Sequence, residues 1–137
     1  MANTVSHRLT VATYLRIPFY AGAGITYDPA NPTALHGRAV RISTDRTVVL
    51  AAAGERVDGS IFLVEPPDRM GVKVTVSVAG MVWFKMATGA TFTGAGESVL
   101  GGADGVAPGG ASVAARGIVT HVDTVAREVG VLLYPRA

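Results

Sequence analysis

The sequence contains no cysteine, which excludes disulfide bonds and thiolate metal sites and fits a reducing compartment. Its start has no basic stretch followed by an apolar core and a small-residue cleavage site, so we expect no secretory signal. No apolar run approaches the roughly 20 residues of a membrane helix. From these absences we expect a soluble protein that is made in the cytoplasm and has no membrane partner.

Charged residues are also scarce: they make up 16% of the 137 residues and leave a formal net charge of +2. Ten of the twelve basic residues are arginines, and they are scattered along the chain. Proteins that bind nucleic acid usually show a clustered basic stripe, so we expect no nucleic-acid partner. Arginine is favoured at protein interfaces and lysine is depleted there, which is one interpretation of the bias. A codon or lineage preference is the other.

The stretch from Gly71 to Lys85 has the clearest pattern in the chain. Its first half alternates branched apolar residues with small or polar ones; the apolar set is Val72, Val74, Val76 and Val78. Alternation with period two predicts a strand with one face in a core. Gly80 interrupts the pattern where a bulge or bend would lie. The run from Met81 to Phe84 is apolar at every position, so we expect it to be buried on both sides.

Shorter strands are predicted on both sides of this central one. They are Ala39 to Ile42, Thr47 to Leu50, Ser60 to Val64, Glu97 to Leu100, Gly117 to Val122 and Arg127 to Tyr134. No helix is predicted, since the alanine-rich run from Leu50 to Ala53 is halted by Gly54. Short, evenly spaced strands punctuated by glycine predict an all-β fold, either a small barrel or a sandwich.

The sequence divides into an N-terminal segment of distinct composition and one β domain. Residues 1–27 have no acidic side chain, and they have two interpretations: an extended N-terminal arm that lies across a neighbouring subunit, or the first strand of the domain. Residues 28–137 are predicted to form a single β domain, with a glycine-rich loop around 101–112.

No arrangement of residues predicts catalysis. The histidines are far apart and have no second ligand at metal-binding spacing; they are His7, His36 and His121. The glycines of Gly94 to Gly102 resemble a dinucleotide fingerprint, but no helix follows to hold a pyrophosphate, so a flexible surface loop is the stronger interpretation. Four acids lie at predicted turns, which is their ordinary place: Asp58, Glu65, Asp68 and Asp123. We expect no enzyme, no cofactor and no metal.

Several segments from about His36 onward follow one another in a characteristic rhythm. They are Gly37-Arg-Ala-Val-Arg-Ile, Thr47-Val-Val-Leu, Gly54-Glu-Arg-Val-Asp-Gly-Ser-Ile, Val72 to Gly80, Ala90 to Val99, Ala115-Arg-Gly-Ile-Val and Glu128-Val-Gly-Val-Leu-Leu. This rhythm resembles that of small phage proteins that decorate or cement the outside of icosahedral heads. The chain departs from the family in its long N-terminal segment and in the proline loop at 28–32.

The resemblance implies a β-barrel or β-tulip-like domain, commonly a homotrimer, on the outer capsid surface of the virion. Its partner would be the major capsid protein, whose neighbouring subunits it would bridge. Aromatic and arginine side chains typically anchor such contacts. The predicted residues of the capsid or trimer interface are Arg8, Arg16, Phe19, Tyr20, Trp83, Phe84 and Phe92. For Trp83 and Phe84, packing in the core is the other interpretation.

A second function is compatible with the same sequence. A carbohydrate-binding or host-attachment module of a head fibre or tail would need exposed aromatic rings backed by polar side chains. One tryptophan and four tyrosines are few for that role.

Overall fold

The structure is a computed structural model that describes residues 14–94 and 96–134. These residues form nine strands and no helix, which confirms the predicted all-β class. The strands are β1 (Tyr14–Ala21), β2 (Ala39–Thr44), β3 (Thr47–Leu50), β4 (Gly59–Val64), β5 (Lys73–Lys85), β6 (Val99–Gly101), β7 (Val106–Pro108), β8 (Ile118–Asp123) and β9 (Glu128–Leu133).

Five strands close into a small barrel, as predicted. Their order is β1-β3-β2-β4-β5, and β1 pairs back onto β5 to complete the circle. The contact of β1 with β3 is parallel, whereas its contact with β5 is antiparallel. Closure removes most of the free strand edges that an open sheet would expose.

The described part of the predicted N-terminal arm, residues 14–27, consists of β1 and the loop after it. Because β1 lies between β3 and β5, the interpretation as a first strand applies to this part of the chain. Residues 1–13 lie outside the described residues, and the predicted interface residue Arg8 lies outside with them.

β5 belongs to two packing units. Its first half belongs to the barrel sheet, where it pairs with β1 and β4. From Gly80 onward it pairs with β9, which in turn pairs with β8. Gly80 has a φ of 87°, a left-handed conformation that glycine adopts readily. The predicted irregularity therefore lies where β5 changes partners. Side-chain alternation continues beyond it, so the expectation that Met81 to Phe84 is buried on both sides is wrong: Trp83 is 46% exposed.

The core has two apolar clusters. The barrel cluster contains Ile25, Val40, Val48, Ile61, Val64, Val74 and Val76. The second cluster joins the far half of β5 with β6, β7, β8 and β9; its larger members include Val82, Phe84, Phe92, Val99, Val106, Val131 and Leu133. Phe84 and Phe92 were predicted at an interface, and for both the prediction is wrong, because their side chains fill this cluster. Core packing was the other interpretation of Phe84.

The segment from Val99 to Pro108 folds as a β6–β7 hairpin and covers the second cluster. The expectation of a surface loop is wrong for this hairpin, because Val99 and Val106 are fully buried. Gly105 allows the backbone of the hairpin to lie close to the end of β5, because a Cβ at this position would lie 2.5 Å from the carbonyl oxygen of Lys85. The hairpin is fixed by backbone contact as well, since the N–H of Ala87 donates to the carbonyl of Val106 at 2.9 Å.

Candidate binding surfaces

Trp83 lies on the outer face of the sheet formed by β5, β9 and β8. The strand register places it opposite Gly130, and a Cβ on that glycine would lie 3.4 Å from the indole. His121 of β8 also pairs with Gly130, and its ring meets the indole edge-on, with centroids 5.6 Å apart at 77°. Gly130 therefore lies in contact with an exposed aromatic pair formed by Trp83 and His121.

Phe62 is a second exposed aromatic, and it is not among the interface residues predicted from the sequence. The pairing of β4 with β5 shifts between Ile61 and Leu63, so Phe62 lies at an irregularity of the strand and is 44% exposed. The guanidinium of Arg16 lies 3.5 Å from the centre of its ring, a cation–π contact. The predicted residue Arg16 is thus placed on an aromatic surface by its pairing with Ser77 of β5.

A cleft of about 320 Å³ lies between these aromatic residues. We call it the Trp83 cleft; its lining includes Arg16, His36, Ser60, Phe62, Ser77, Met81, Trp83 and Glu128. The buried Ser60 hydroxyl donates to the carbonyl of Trp83 at 2.7 Å and ties β4 to the far half of β5. His36 Nε2 is buried and has no hydrogen-bond partner in the part of the chain that the structure describes.

The predicted residues Phe19 and Tyr20 lie on a different surface. They line an apolar groove of about 630 Å³, which we call the β1 groove, together with Ile17, Pro18, Asp45, Arg46 and Lys73. The structure therefore separates the predicted interface residues. Arg16 and Trp83 share the Trp83 cleft, whereas Phe19 and Tyr20 share the β1 groove.

Two other acidic side chains, Glu97 and Asp68, have structural partners. The N–H groups of Gly94 and Thr93 donate to the carboxylate of Glu97 and hold its pKa below the usual value, so this acid stabilises its own loop. Asp68 pairs with Lys73 at 3.1 Å. Within residues 14–94 and 96–134, no group of three or more His, Cys, Asp or Glu side chains is placed to hold a metal ion. The same residues contain no helix that could cross a lipid bilayer.

No protein-family model matches the chain, and neither a curated protein nor a solved structure is significantly similar to it.

Proposed function

We propose that the protein is a structural component of a phage virion that binds the outer surface of the assembled head. There it would stabilise the lattice by bridging neighbouring subunits of the major capsid protein. The observation that carries the proposal is the Trp83 cleft, where two exposed aromatic rings and an arginine surround one cavity. Tryptophan and arginine side chains in pockets dominate binding energy at protein interfaces. The segment rhythm points to the same class of protein.

The cleft is formed before any partner arrives. Phe62 is fixed by the strand irregularity and by the stacked guanidinium of Arg16, and the far half of β5 is held by the hydroxyl of Ser60. Side chains that are already ordered lose little conformational entropy on docking, which favours binding. A preformed cleft suits a ligand for a repeated, rigid surface such as a capsid lattice.

Lattice stabilisation then follows from mass action. A ligand that binds the assembled lattice, and not its separated capsomers, shifts the equilibrium toward the assembled state. Each site contributes a small increment, and many copies multiply it. Association of copies, which the resemblance implies as a trimer, would add avidity because later contacts form at high effective concentration.

Replacing Trp83 with alanine is expected to weaken binding to expanded heads that lack the protein by about 30-fold, the effect of losing roughly 2 kcal/mol at an anchor residue. Co-sedimentation of purified protein with these heads, with the bound fraction measured over a concentration series, gives the affinity. Val125→Ala is the matched control, because Val125 is 94% exposed and lies in the turn between β8 and β9. Equal binding by the two variants would contradict the proposed role of the cleft.

The alternative, a carbohydrate-binding or host-attachment module, is favoured by one observation. The Trp83 cleft combines aromatic side chains with the polar side chains of Ser77 and Glu128, which suits a ring with an apolar face and hydroxyl groups. Trp83 is the single tryptophan, so its fluorescence reports directly on the cleft. A fluorescence change on titration with saccharides from a positive glycan-array spot, without binding to heads, would favour this alternative.

A further inference from the structure

The barrel leaves one edge of β1 largely open. On this edge β1 pairs with β3 only at Tyr20 and Ala21, and the Tyr20 N–H donates to the carbonyl of Arg46 at 2.6 Å. The hairpin of β2 and β3 turns at Asp45 and Arg46, so the earlier part of β1 extends past it. Among the described residues, no strand pairs with this edge between Leu15 and Phe19.

The open edge is apolar. Leu15 is 52% exposed and Ile17 is 37% exposed, and the neighbouring β1 groove has an apolar wall formed by Ile17, Pro18 and Phe19. Exposed apolar side chains beside an apolar groove favour an interaction site, because covering them removes apolar area from water.

Pro18 restricts what can cover this edge. It has no N–H to donate, and proline on an edge strand is a common means of blocking the addition of arbitrary strands. The edge is therefore suited to a partner that packs against its side chains rather than to one that extends the sheet through every backbone group.

The charged residues at the rim of the β1 groove indicate which kind of partner would bind there. Asp45 and Arg46 are adjacent in the turn, exposed and of opposite charge. Neither side chain makes an ion pair or a hydrogen bond to another of the described residues, whereas the third charged residue of the groove, Lys73, is paired with Asp68. A surface with both signs beside an apolar strip is complementary to itself: across a twofold axis, Asp45 of one copy faces Arg46 of the other.

We propose that the β1 groove is an interface between two copies of this chain, related by a twofold axis. Apolar packing of Leu15 and Ile17 supplies the affinity, and the Asp45 and Arg46 pairs set the orientation. This contact is independent of the proposed binding to heads, which uses the Trp83 cleft. It differs from the trimer that the resemblance implies, because a twofold contact joins copies in pairs.

A charge swap tests the twofold contact directly. Asp45→Lys gives a turn with two positive charges, and Arg46→Asp gives one with two negative charges. Each variant alone should dimerise at least about tenfold more weakly than the wild type, because like charges would then face each other across the axis. An equal mixture should recover the dimer, since each positive turn meets a negative one. Sedimentation velocity over a concentration series measures the dimerisation of the wild type, of each variant and of the mixture.

Aspartate is chosen at position 46 because Arg46 has a φ of 55°, a conformation that aspartate tolerates better than most residues. The matched control is Arg69→Asp, a charge reversal at an exposed residue of the turn between β4 and β5. Wild-type protein that sediments as a monomer or a trimer would overturn the proposal. So would a mixture of the two variants that stays as weakly associated as each variant alone.

Discussion

Gly105→Ala is expected to lower the free energy of unfolding by about 3 kcal/mol or more, at the upper end of the range for overpacked positions. An added Cβ would lie 2.5 Å from the carbonyl oxygen of Lys85, 2.5 Å from the carbonyl carbon of Met86 and 2.6 Å from the nitrogen of Ala87. All three are backbone atoms, so no flexible side chain can move aside. The β6–β7 hairpin would have to separate from the end of β5 and expose the second apolar cluster.

Urea unfolding followed by circular dichroism measures this loss, and Gly110→Ala provides the control. Gly110 lies in the same glycine-rich segment, but no atom lies within 4 Å of the place its Cβ would take, and its φ is 55°. The control variant should therefore lose only about 1 kcal/mol, the cost of a left-handed conformation in a residue with a side chain. Equal losses in the two variants would mean that the hairpin does not pack against β5 as described.

Asp58→Ala is expected to lower the free energy of unfolding by about 3 kcal/mol, since it removes one partner of a largely buried ion pair. The Asp58 carboxylate accepts hydrogen bonds from the N–H of Ile42 at 2.8 Å, from Arg56 Nε at 3.1 Å and from Arg116 Nη1 at 3.3 Å. The side chains of Asp58 and Arg116 are only 11% and 13% exposed. Without the carboxylate, the guanidinium of Arg116 would remain buried with its charge uncompensated.

A double-mutant cycle separates this pair from simple loss of packing. Arg116 also donates to the carbonyl of Tyr134, so it links the segment before β8 to the residue that follows β9. Asp58→Asn and Arg116→Met should each destabilise the protein, while the double variant should lose less than the sum of the two, because no buried charge remains unpaired. Thermal unfolding of the four proteins gives the coupling. Strict additivity would contradict a direct interaction.

Most strands could be predicted from the sequence because alternation is a local signal. Thr47–Leu50 matches the prediction at both ends, and the predicted strands at 39–42, 60–64 and 117–122 differ from β2, β4 and β8 by two residues or fewer at each end. The alternating valines of β5 correctly predicted which face of the strand is buried. Period-two patterns need no knowledge of the partner strand, which is why they were sufficient here.

Pairing between distant strands could not be predicted in the same way. Closure of the barrel depends on β1 meeting both β3 and β5, and nothing in the local sequence of Tyr14–Ala21 specifies those partners. The strand predicted at 97–100 overlaps β6, but β7 and the pairing of the two strands were missed, because the glycines around them resemble a loop in composition although they permit close backbone contact. Phe92 lies outside any strand, so no periodicity indicated that it was buried.

The candidate site was predicted only in part, for related reasons. Trp83 and Arg16 were selected by residue type, whereas Phe62 was not. Its neighbours Ile61 and Leu63 are also apolar, and in such a run the outward residue is decided by the irregularity in the pairing of β4 with β5. The pairing of Trp83 with Gly130 depends on the register of β5 and β9, which a single sequence does not reveal.

In the proposed function, the Trp83 cleft attaches this protein to the assembled head. Electron microscopy of expanded and unexpanded shells mixed with purified protein tests it most directly, since a reconstruction both counts the bound copies and shows which surface faces the shell. We expect regular occupancy of expanded shells alone, with Trp83 and Phe62 turned toward the major capsid protein. Shells that stay bare, or bound copies whose Trp83 cleft faces solvent, would contradict the account.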